Sequence, residues 1–317
     1  MSYCLSFLFI FVCLFFNTIN AQQAPYRTKL AVDVDYLAYS QEGSNDENIV
    51  VAPTRKVTKT ITTDELVNNQ NFRSGYMVSL KLFQSKSKTW VFSYMGKLNW
   101  HRSLSLEGNK NVTLASPISL STNDFYDANS ATTTYNSSLL SYQIYQIRQI
   151  SPRYIDNFSV SWLIGATFYN PKDSIKVYFN KHNRTSQYQT HTKNKSVGLQ
   201  VGGTLEYNTP KIMTCGLNAK GGILFNRGTV KMSMNDNNST ESVTAFTEQK
   251  SNPAYMVELF PTLEIRPVKQ FFILVNYKAL ILIDIVTADN NLGPTYELDH
   301  NSRRTYQGVT AGIQFNF

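Results

Sequence analysis

The stretch LDHNSRR, residues 298–304, carries the combination of residue types closest to that of a hydrolytic enzyme. Asp299, His300 and Ser302 lie close together in sequence, and in an extended chain His300 and Ser302 share a face. A histidine beside a serine hydroxyl can act as the base that activates the serine as a nucleophile. An ordinary polar loop has the same composition, however. We predict that the protein is not an enzyme, with these three residues as the candidate catalytic set if it is one.

A second group of reactive residues consists of charges that occupy alternate positions in otherwise apolar segments. Mixed signs in one interior can pair into a structural network, or they can border a small conductance path; both alternatives are open at this point. A wide pore selective for one sign of ion would instead show a ring of like charge. The residues predicted to face such an interior are Asp33, Asp35, Lys81, Lys97, Glu206, Lys220, Glu258, Glu264, Arg266, Lys278 and Asp284.

Metal and nucleotide chemistry have no support in the sequence. Neither a Cys/His spacing typical of metal sites nor a phosphate-binding motif is present, so we predict no metal and no cofactor. The net charge of +8 does not indicate nucleic-acid binding, because the basic residues are spread singly along the chain.

The elements that must position these residues are β-strands. Ten segments alternate apolar and polar residues with period two, which is typical of strands rather than helices. The segment 139–150 alternates least well. The predicted strands are approximately 28–40, 74–84, 89–100, 139–150, 156–170, 195–208, 213–227, 253–267, 270–285 and 305–317.

The connections between these strands are long and short in strict turn. Such a rhythm predicts an all-β, transmembrane, antiparallel up-and-down β-barrel of about ten strands. Twelve strands are the alternative, if 112–121 and 174–180 form two more. The long connections, predicted to be extracellular loops of a barrel domain covering 22–317, are at about 41–73, 101–138, 171–194, 228–252 and 286–304.

Aromatic residues on the apolar faces fall into two groups by height, as expected for rings at the two interfaces of a membrane. The group at the short turns is Trp90, Phe92, Phe158, Tyr207, Phe271, Phe315 and Phe317. The group at the long loops is Tyr36, Tyr76, Trp100, Phe168, Phe225 and Tyr255. Since a soluble barrel would turn its apolar face inward, this sorting favours a membrane barrel.

The two ends of the sequence predict export and insertion. Residues 1–21 have an apolar core from Leu5 to Phe16 followed by Ala21, the pattern of a cleaved signal peptide of Sec-type export. Cys215 is then the lone cysteine of the mature chain, so no internal disulfide is expected. The last strand is predicted to pair with the first, because a barrel in lipid leaves no unpaired edge.

Three resemblances accompany these patterns. The chain end, with Ile313, Phe315 and terminal Phe317, resembles the insertion signal of bacterial outer-membrane proteins. The segment YNSSLLSYQIYQIRQISPRYIDNFSVSWLIGATFYN, followed by GLQVGGTLEYNTPKIMTCGLNAKGGILFN, resembles the pore-forming barrels of the Legionella major-outer-membrane-protein type, which implies a pore. The His300-x-Ser302 element is similar to that of lipid A deacylases, and an Asp–His pair at the rim is similar to omptin proteases.

We therefore predict a porin-like passive pore for small solutes or ions in a bacterial outer membrane. A closed structural or adhesive barrel that binds a partner through its long loops is the alternative, and an outer-membrane hydrolase is a more distant one. The predicted partners are outer-membrane lipids and lipopolysaccharide, near basic residues such as Arg303 and Arg304, the barrel-assembly machinery, and a surface ligand. No nucleic acid is expected.

Overall fold

A computed structural model describes most of the chain outside its N-terminal segment. The predicted signal peptide, 1–21, lies outside the described residues. These are 29–43, 48–53, 58–68, 72–85, 87–114, 125–150, 157–182, 184–208, 213–235, 246–268, 270–292 and 298–317.

Almost every described residue belongs to a strand. A short helix, α1 (Thr63–Val67), is capped by the Thr62 hydroxyl, and in the described ranges no helix is long and apolar enough to cross a membrane. The strands are β1 (Lys29–Glu42), β2 (Asn48–Pro53), β3 (Thr58–Thr62), β4 (Arg73–Ser85), β5 (Lys88–Leu114), β6 (Ala128–Ile150), β7 (Phe158–Tyr169), β8 (Lys172–Lys181), β9 (Arg184–Asn208), β10 (Met213–Asn235), β11 (Phe246–Val268), β12 (Phe271–Ile285) and β13 (Ser302–Asn316).

The sheet closes on itself, as predicted. Strand β13 pairs antiparallel with β1 from Ala31↔Asn316 to Glu42↔Thr305. Beyond that register, Phe317 and Leu30 exchange two backbone hydrogen bonds of 2.7 and 3.3 Å. The closed ring leaves no free sheet edge around the lower barrel, which is the condition for a sheet in lipid.

The ring has about ten strand positions, which confirms the predicted fold class. Strands β7 and β8 share one position: both lie between β6 and β9, and the register Tyr169↔Ser196 continues to Lys172↔Lys193. The segment 174–180, offered as an extra strand, therefore prolongs an existing one. Of 112–121, residues 112–114 end β5 and the rest lie outside the described residues.

The barrel wall is apolar outside and polar inside. Outward side chains such as Leu199 and Ile223 are 70% and 65% exposed, whereas inward Glu258 and Lys220 are 1% and 4% exposed. A protein in water would lose stability with this arrangement, because the hydrophobic effect drives apolar side chains inward. The outer band is instead suited to lipid.

Four neighbouring rings mark the upper edge of this band. Tyr76, Tyr94, Tyr142 and Phe168, on four adjacent strands, have ring centroids 5.9, 5.1 and 6.0 Å apart in succession. At the short-turn end, ring pairs lie 4.9 Å (Phe158–Tyr207) and 5.3 Å (Phe271–Phe315) apart. Aromatic rings are thus present at both ends of the band, and Tyr76 and Phe168 belong to the predicted group at the long loops.

The prediction that Trp100 faces outward is wrong. Between Met95 and Leu98, three steps along β5 oppose two along β6, so β5 contains a β-bulge. One extra residue moves every later side chain to the opposite face. Trp100 therefore points inward and is 1% exposed.

Three of the predicted long loops are largely strand. Strands β5 and β6 continue through most of 101–138 to Val112↔Ala128, β8 and β9 form a hairpin within 171–194, and β10 and β11 extend through much of 228–252. Together β5, β6, β8, β9, β10 and β11 rise as a curved sheet, which we call the upper sheet, above the ends of β1, β4, β12 and β13. Polar residues on its outer face had suggested loops, but they are also what a strand in water requires.

The remaining long connections fold into the concave side of the upper sheet. Strands β2 and β3 form a hairpin, β2 pairs with the end of β5, and α1 follows. The buried apolar side chains of this region form an upper core. It comprises Ile49, Val50, Ala52, Ile61, Leu66, Val67, Leu106, Val112, Leu114, Phe125, Ala128, Ala131, Tyr135, Ile175, Val177, Phe179, Tyr188, Met234, Ala288 and Leu292.

Candidate functional site

The interior of the barrel contains a polar cavity of about 190 Å³ toward the short-turn end. Predicted lumenal charges that line it are Asp33, Asp35, Lys81, Glu206, Lys220, Glu258, Glu264 and Lys278. Each of these residues alternates along its strand with apolar residues that face outward, so its own side chain points into the barrel. Ser, Thr, Asn and Gln side chains also line it. The rest of the lining is apolar or aromatic, namely Met77, Val91, Tyr145, Ile147, Leu163, Phe260 and Leu274.

Glu258 is the centre of a buried network at the upper end of this cavity. Its Oε1 accepts from the ammonium groups of Lys220 at 3.0 Å and Lys278 at 3.1 Å. Its Oε2 accepts from Gln143 at 3.0 Å and from the Tyr169 hydroxyl at 3.3 Å. Each carboxylate oxygen therefore has two partners, and the network joins five strands: β6, β7, β10, β11 and β12.

The two lysines carry one more positive charge than Glu258 neutralises, and aromatic faces help to hold it. The Lys220 ammonium lies 4.3 Å from the centroid of the Tyr145 ring and 5.0 Å from that of Phe260. Such cation–π contacts stabilise an ammonium group removed from water. Lower in the cavity, Lys81 binds Asp33 at 2.8 Å and donates to Gln314 at 2.8 Å.

An apolar layer lies directly above the cavity. Along β1 the inward residues Asp33 and Asp35 are followed by Leu37 and Tyr39, and along β12 Lys278 is followed by Leu280 and Leu282. This middle layer is fully buried. It consists of Leu37, Tyr39, Met95, Leu98, Trp100, Leu139, Tyr169, Leu224, Ala254, Met256, Leu280, Leu282, Ile285 and Tyr306.

Trp100 crosses the interior within the middle layer. Its ring lies 5.4 Å from that of Tyr306, and its indole N–H donates to the backbone oxygen of Tyr39 at 3.2 Å. The indole thus links β5 to β1 and β13 across the lumen, with its polar atom satisfied.

A second buried ion cluster lies above the middle layer. Arg304, 1% exposed, binds Asp289 with N–O distances of 2.6 and 3.3 Å and Asp173 at 2.9 Å. The Tyr135 hydroxyl donates to Asp173 at 3.1 Å. Arg304 is therefore inside the barrel, which corrects its predicted place near the outer leaflet; Arg303 beside it is exposed.

Asparagines hold the connection between β12 and β13 over this cluster. The Asn194 side chain donates to the backbone oxygen of Val286 at 2.7 Å and accepts from its N–H at 2.9 Å. The Tyr188 hydroxyl donates to the Leu292 oxygen, and the Asn291 oxygen accepts from the N–H of Asp299. The connection is thereby fastened into the top of the barrel.

The candidate catalytic residues are not brought together. The Ser302 hydroxyl is buried against Thr287 at 3.0 Å, and Asp299 accepts from the N–H of Asn301 at 2.8 Å. Neither ring nitrogen of His300 has a hydrogen-bond partner. The arrangement lacks the serine–histidine contact that nucleophilic catalysis requires.

We predict that His300 is neutral at neutral pH. Burial, reinforced by Lys250, lowers the pKa of His300 below its ordinary value of 6.5. The unfolded chain then takes up this proton more readily, so His300 lowers the stability as the pH falls below about 6.5. A titration of ¹⁵N-histidine NMR signals in micelles, with His300→Gln to assign the peak, should give a midpoint below 6.5. A midpoint at or above that value would contradict the prediction.

For three of the residues predicted to face the interior, the structure does not show an inward position in the cavity. The Arg266 side chain is 46% exposed at the lower rim, where it binds Glu264 at 2.7 Å. Asp284 is the extra residue of a bulge between Ile283↔Arg303 and Ile285↔Ser302, with φ of 60°, so it does not occupy an inward strand position. Lys97 lies at the β5 bulge, and its side chain is outside the described part of the structure.

Several residues of the interior were missed by the sequence patterns. Gln143 and Tyr145 come from the poorly alternating segment 139–150, where the pattern gave little signal, and Tyr169 lies near the end of the next predicted strand, 156–170. Asp173 and Asp289 fell in predicted loops.

Ile313, Phe315 and Phe317 lie at the short-turn end of β13, all facing outward and exposed. Among the described residues, no three His, Cys, Asp or Glu side chains are grouped to hold a metal ion.

Comparison with known proteins gives structural likeness alone. No family model matches the chain, and no curated protein matches its sequence. The outer membrane protease OmpT from Escherichia coli is 11% identical with a TM-score of 0.49, covering 94% of this chain and all (100%) of that one. The translocator domain of the autotransporter NalP from Neisseria meningitidis is 8% identical with a TM-score of 0.36, covering 95% and 93%.

A Pseudomonas aeruginosa FadL homologue is 7% identical with a TM-score of 0.26, covering 92% of this chain and 90% of that one. These proteins differ in what they do, and none of their activities transfers to this chain. The barrel itself is established by the closed strand pairing, independently of these likenesses.

Proposed function

We propose that the protein is an outer-membrane β-barrel with a closed interior that holds a rigid extracellular sheet at the cell surface to bind a partner. The observation that carries the proposal is the closed interior. Along the same strands, the cavity is followed by the middle layer and then by the upper core, so packed side chains lie above the cavity. The predicted alternative of a closed structural or adhesive barrel thus gains support over the porin-like pore.

The apolar outer band supports a membrane location. It runs between the two aromatic groups, and aromatic rings are favoured at membrane–water interfaces. The short turns lie at one end and the long connections at the other, as in outer-membrane barrels with short periplasmic turns. It stays a prediction that the barrel-assembly machinery recognises Ile313, Phe315 and Phe317.

The closed interior argues against passive permeation. Four strands show the same order, a charged or polar inward residue followed by an apolar one: Asp35–Leu37, Lys220–Leu224, Glu258–Met256 and Lys278–Leu280. An ion that left the cavity upward would enter a dry layer at a large desolvation cost. Asp33, Lys81, Lys220, Glu258 and Lys278 pair with one another, whereas Asp35 and Glu206 form no ion pair with any residue that the structure describes. The pairing favours a structural role for most of these charges.

The upper sheet supports a role at the cell surface. From Phe225 to Asn235, β10 advances ten residues beyond the band, roughly 33 Å along the strand. The concave side of the sheet is occupied by the upper core, and Arg304 fastens the β12–β13 connection beneath it. Loops held on such a scaffold are suited to recognition, because binding then costs little ordering entropy.

The test is conductance in a planar bilayer. We expect the folded mature chain, verified by its heat-dependent shift in electrophoretic mobility, to insert without producing discrete current steps at two salt concentrations. A known porin in the same bilayer controls for detection. Steps that scale with salt concentration would contradict the proposal and restore the porin-like pore.

A further inference from the structure

The outer face of three neighbouring strands changes from apolar to basic at a single height. Phe168, Val197 and Phe225 face outward from β7, β9 and β10, and the register pairs Val197 with both rings. The next outward pair toward the long-loop end is Lys195↔Arg227. Apolar outward residues fill these strands below that row, so the basic residues begin where the lipid-facing band ends.

Two more basic pairs follow on the same face. Lys172 lies opposite Lys193, and His191 lies opposite Lys231. Lys195, Arg227 and Lys231 are exposed, and the other three are half-buried. We call the six residues Lys172, His191, Lys193, Lys195, Arg227 and Lys231 the basic patch.

Among the residues that the structure describes, no acid neutralises this patch. The charged groups that act on the Lys193 ammonium are Lys172, Lys195 and Lys231, all of them positive. Asp173, the neighbour of Lys172 in sequence, belongs to the opposite face and is bound by Arg304. In the described ranges no patch side chain forms an ion pair.

Like charges directly opposite one another across strands are destabilising. Here two such rows, Lys195↔Arg227 and Lys172↔Lys193, are stacked on one surface below the pair His191↔Lys231, and an external anion would remove the repulsion. The wall of β5 and β6 above the band is different: its outward rows are hydrogen-bonded pairs such as Ser103–Thr134 and Ser105–Thr132. The positive charge is therefore a feature of one sector of the barrel.

We infer that the basic patch binds the phosphate groups of a glycolipid in the outer leaflet. The inference rests on the membrane location in the proposed function, because the patch adjoins the lipid-facing band at the height of the headgroups. Acyl chains would lie on Phe168, Val197 and Phe225, while lysine ammonium groups and the Arg227 guanidinium donate to phosphate oxygens. A soluble anion would have no use for the apolar side of this surface.

The test compares two matched double variants of the full chain in detergent. Lys195→Gln with Arg227→Gln removes one opposing pair of the patch. Lys59→Gln with Lys250→Gln removes two positive charges from exposed extracellular positions outside it. Dissociation constants are measured by native mass spectrometry for diphosphorylated lipid A, its phosphate-free analogue and inorganic phosphate.

We expect the patch variant to bind diphosphorylated lipid A about 25-fold more weakly than the unmodified chain, roughly fivefold for each charge near the headgroups. The control variant should bind as the unmodified chain does, and the phosphate-free analogue should bind weakly to all three. Equal affinity of both variants would overturn the inference. So would inorganic phosphate binding as tightly as the lipid, which would indicate a site for soluble anions.

Conductance separates this inference from the proposed function. If the protein produces no current steps and the patch variant binds lipid A as tightly as the unmodified chain, the inference is overturned and the proposal of a closed barrel is unaffected. If the protein conducts and the patch variant binds lipid A more weakly, the proposal of a closed barrel is overturned and the inference stands. Failure of the folded chain to enter bilayers at all would overturn the membrane location and both proposals together.

Discussion

Replacing Glu258 by glutamine is expected to lower the free energy of unfolding by about 3–5 kcal/mol. Lys220 and Lys278 would then be buried within the barrel with no carboxylate, since Glu258 is their shared partner at 3.0 and 3.1 Å. An unpaired charge in the interior costs far more than the pair contributes. Urea unfolding in lipid vesicles, followed by tryptophan fluorescence, measures the change.

Glu264→Gln is the matched control for this prediction. Glu264 also faces the cavity and binds a base, but its partner Arg266 is 46% exposed. Partly exposed ion pairs contribute about 0–1 kcal/mol, so the control should unfold almost as the original chain does. Adding Lys278→Met to Glu258→Gln should recover part of the loss, because it removes one of the stranded charges. Equal effects of Glu258→Gln and Glu264→Gln would contradict the assigned network.

Replacing Arg304 by methionine is the second large effect, about 3–5 kcal/mol of lost stability. Asp173 and Asp289 would remain buried without their cation, although methionine fills much of the arginine volume. Asp289 belongs to the connection between β12 and β13, so the damage should be concentrated there. Hydrogen exchange should increase in 286–292 more than in the lower barrel, since local opening follows the lost contacts.

Two further variants sharpen this test. Arg303→Met changes the neighbouring, exposed arginine and should alter stability by no more than about 0.5 kcal/mol. Arg304→Lys should be intermediate, because a single ammonium cannot reproduce the forked contact with Asp289 while also reaching Asp173. If Arg303→Met proved as harmful as Arg304→Met, the buried position of Arg304 would be refuted.

Strand positions and the direction of most side chains were predictable from the sequence. An outward residue in the band meets lipid and an inward one meets a polar interior, so each strand carries the alternation regardless of its neighbours. The alternation alone predicts that Asp33, Asp35, Lys220, Glu258 and Lys278 face the interior, and all five line the cavity. Closure of β13 on β1 was also predictable, because lipid cannot satisfy a free strand edge.

Side-chain direction was lost wherever a bulge intervened. The β5 bulge moved Trp100 from the predicted outer ring into the middle layer, and the β12 bulge removed Asp284 from the interior. A bulge adds one residue to one strand alone, and the local sequence around Met95 or Ile283 gives no sign of it. Whether the interior is open depends on such residues, and the number of strands does not decide it.

The sequence by itself determined a closed barrel with an apolar exterior, because both follow from a period-two pattern read within each strand. The tertiary structure decided what fills it and what it displays. Arg304 binds Asp173, which is 131 residues away in the chain, and the basic patch joins residues from three strands. Such groupings depend on register between strands, which is set by the closed ring as a whole and not by any one segment.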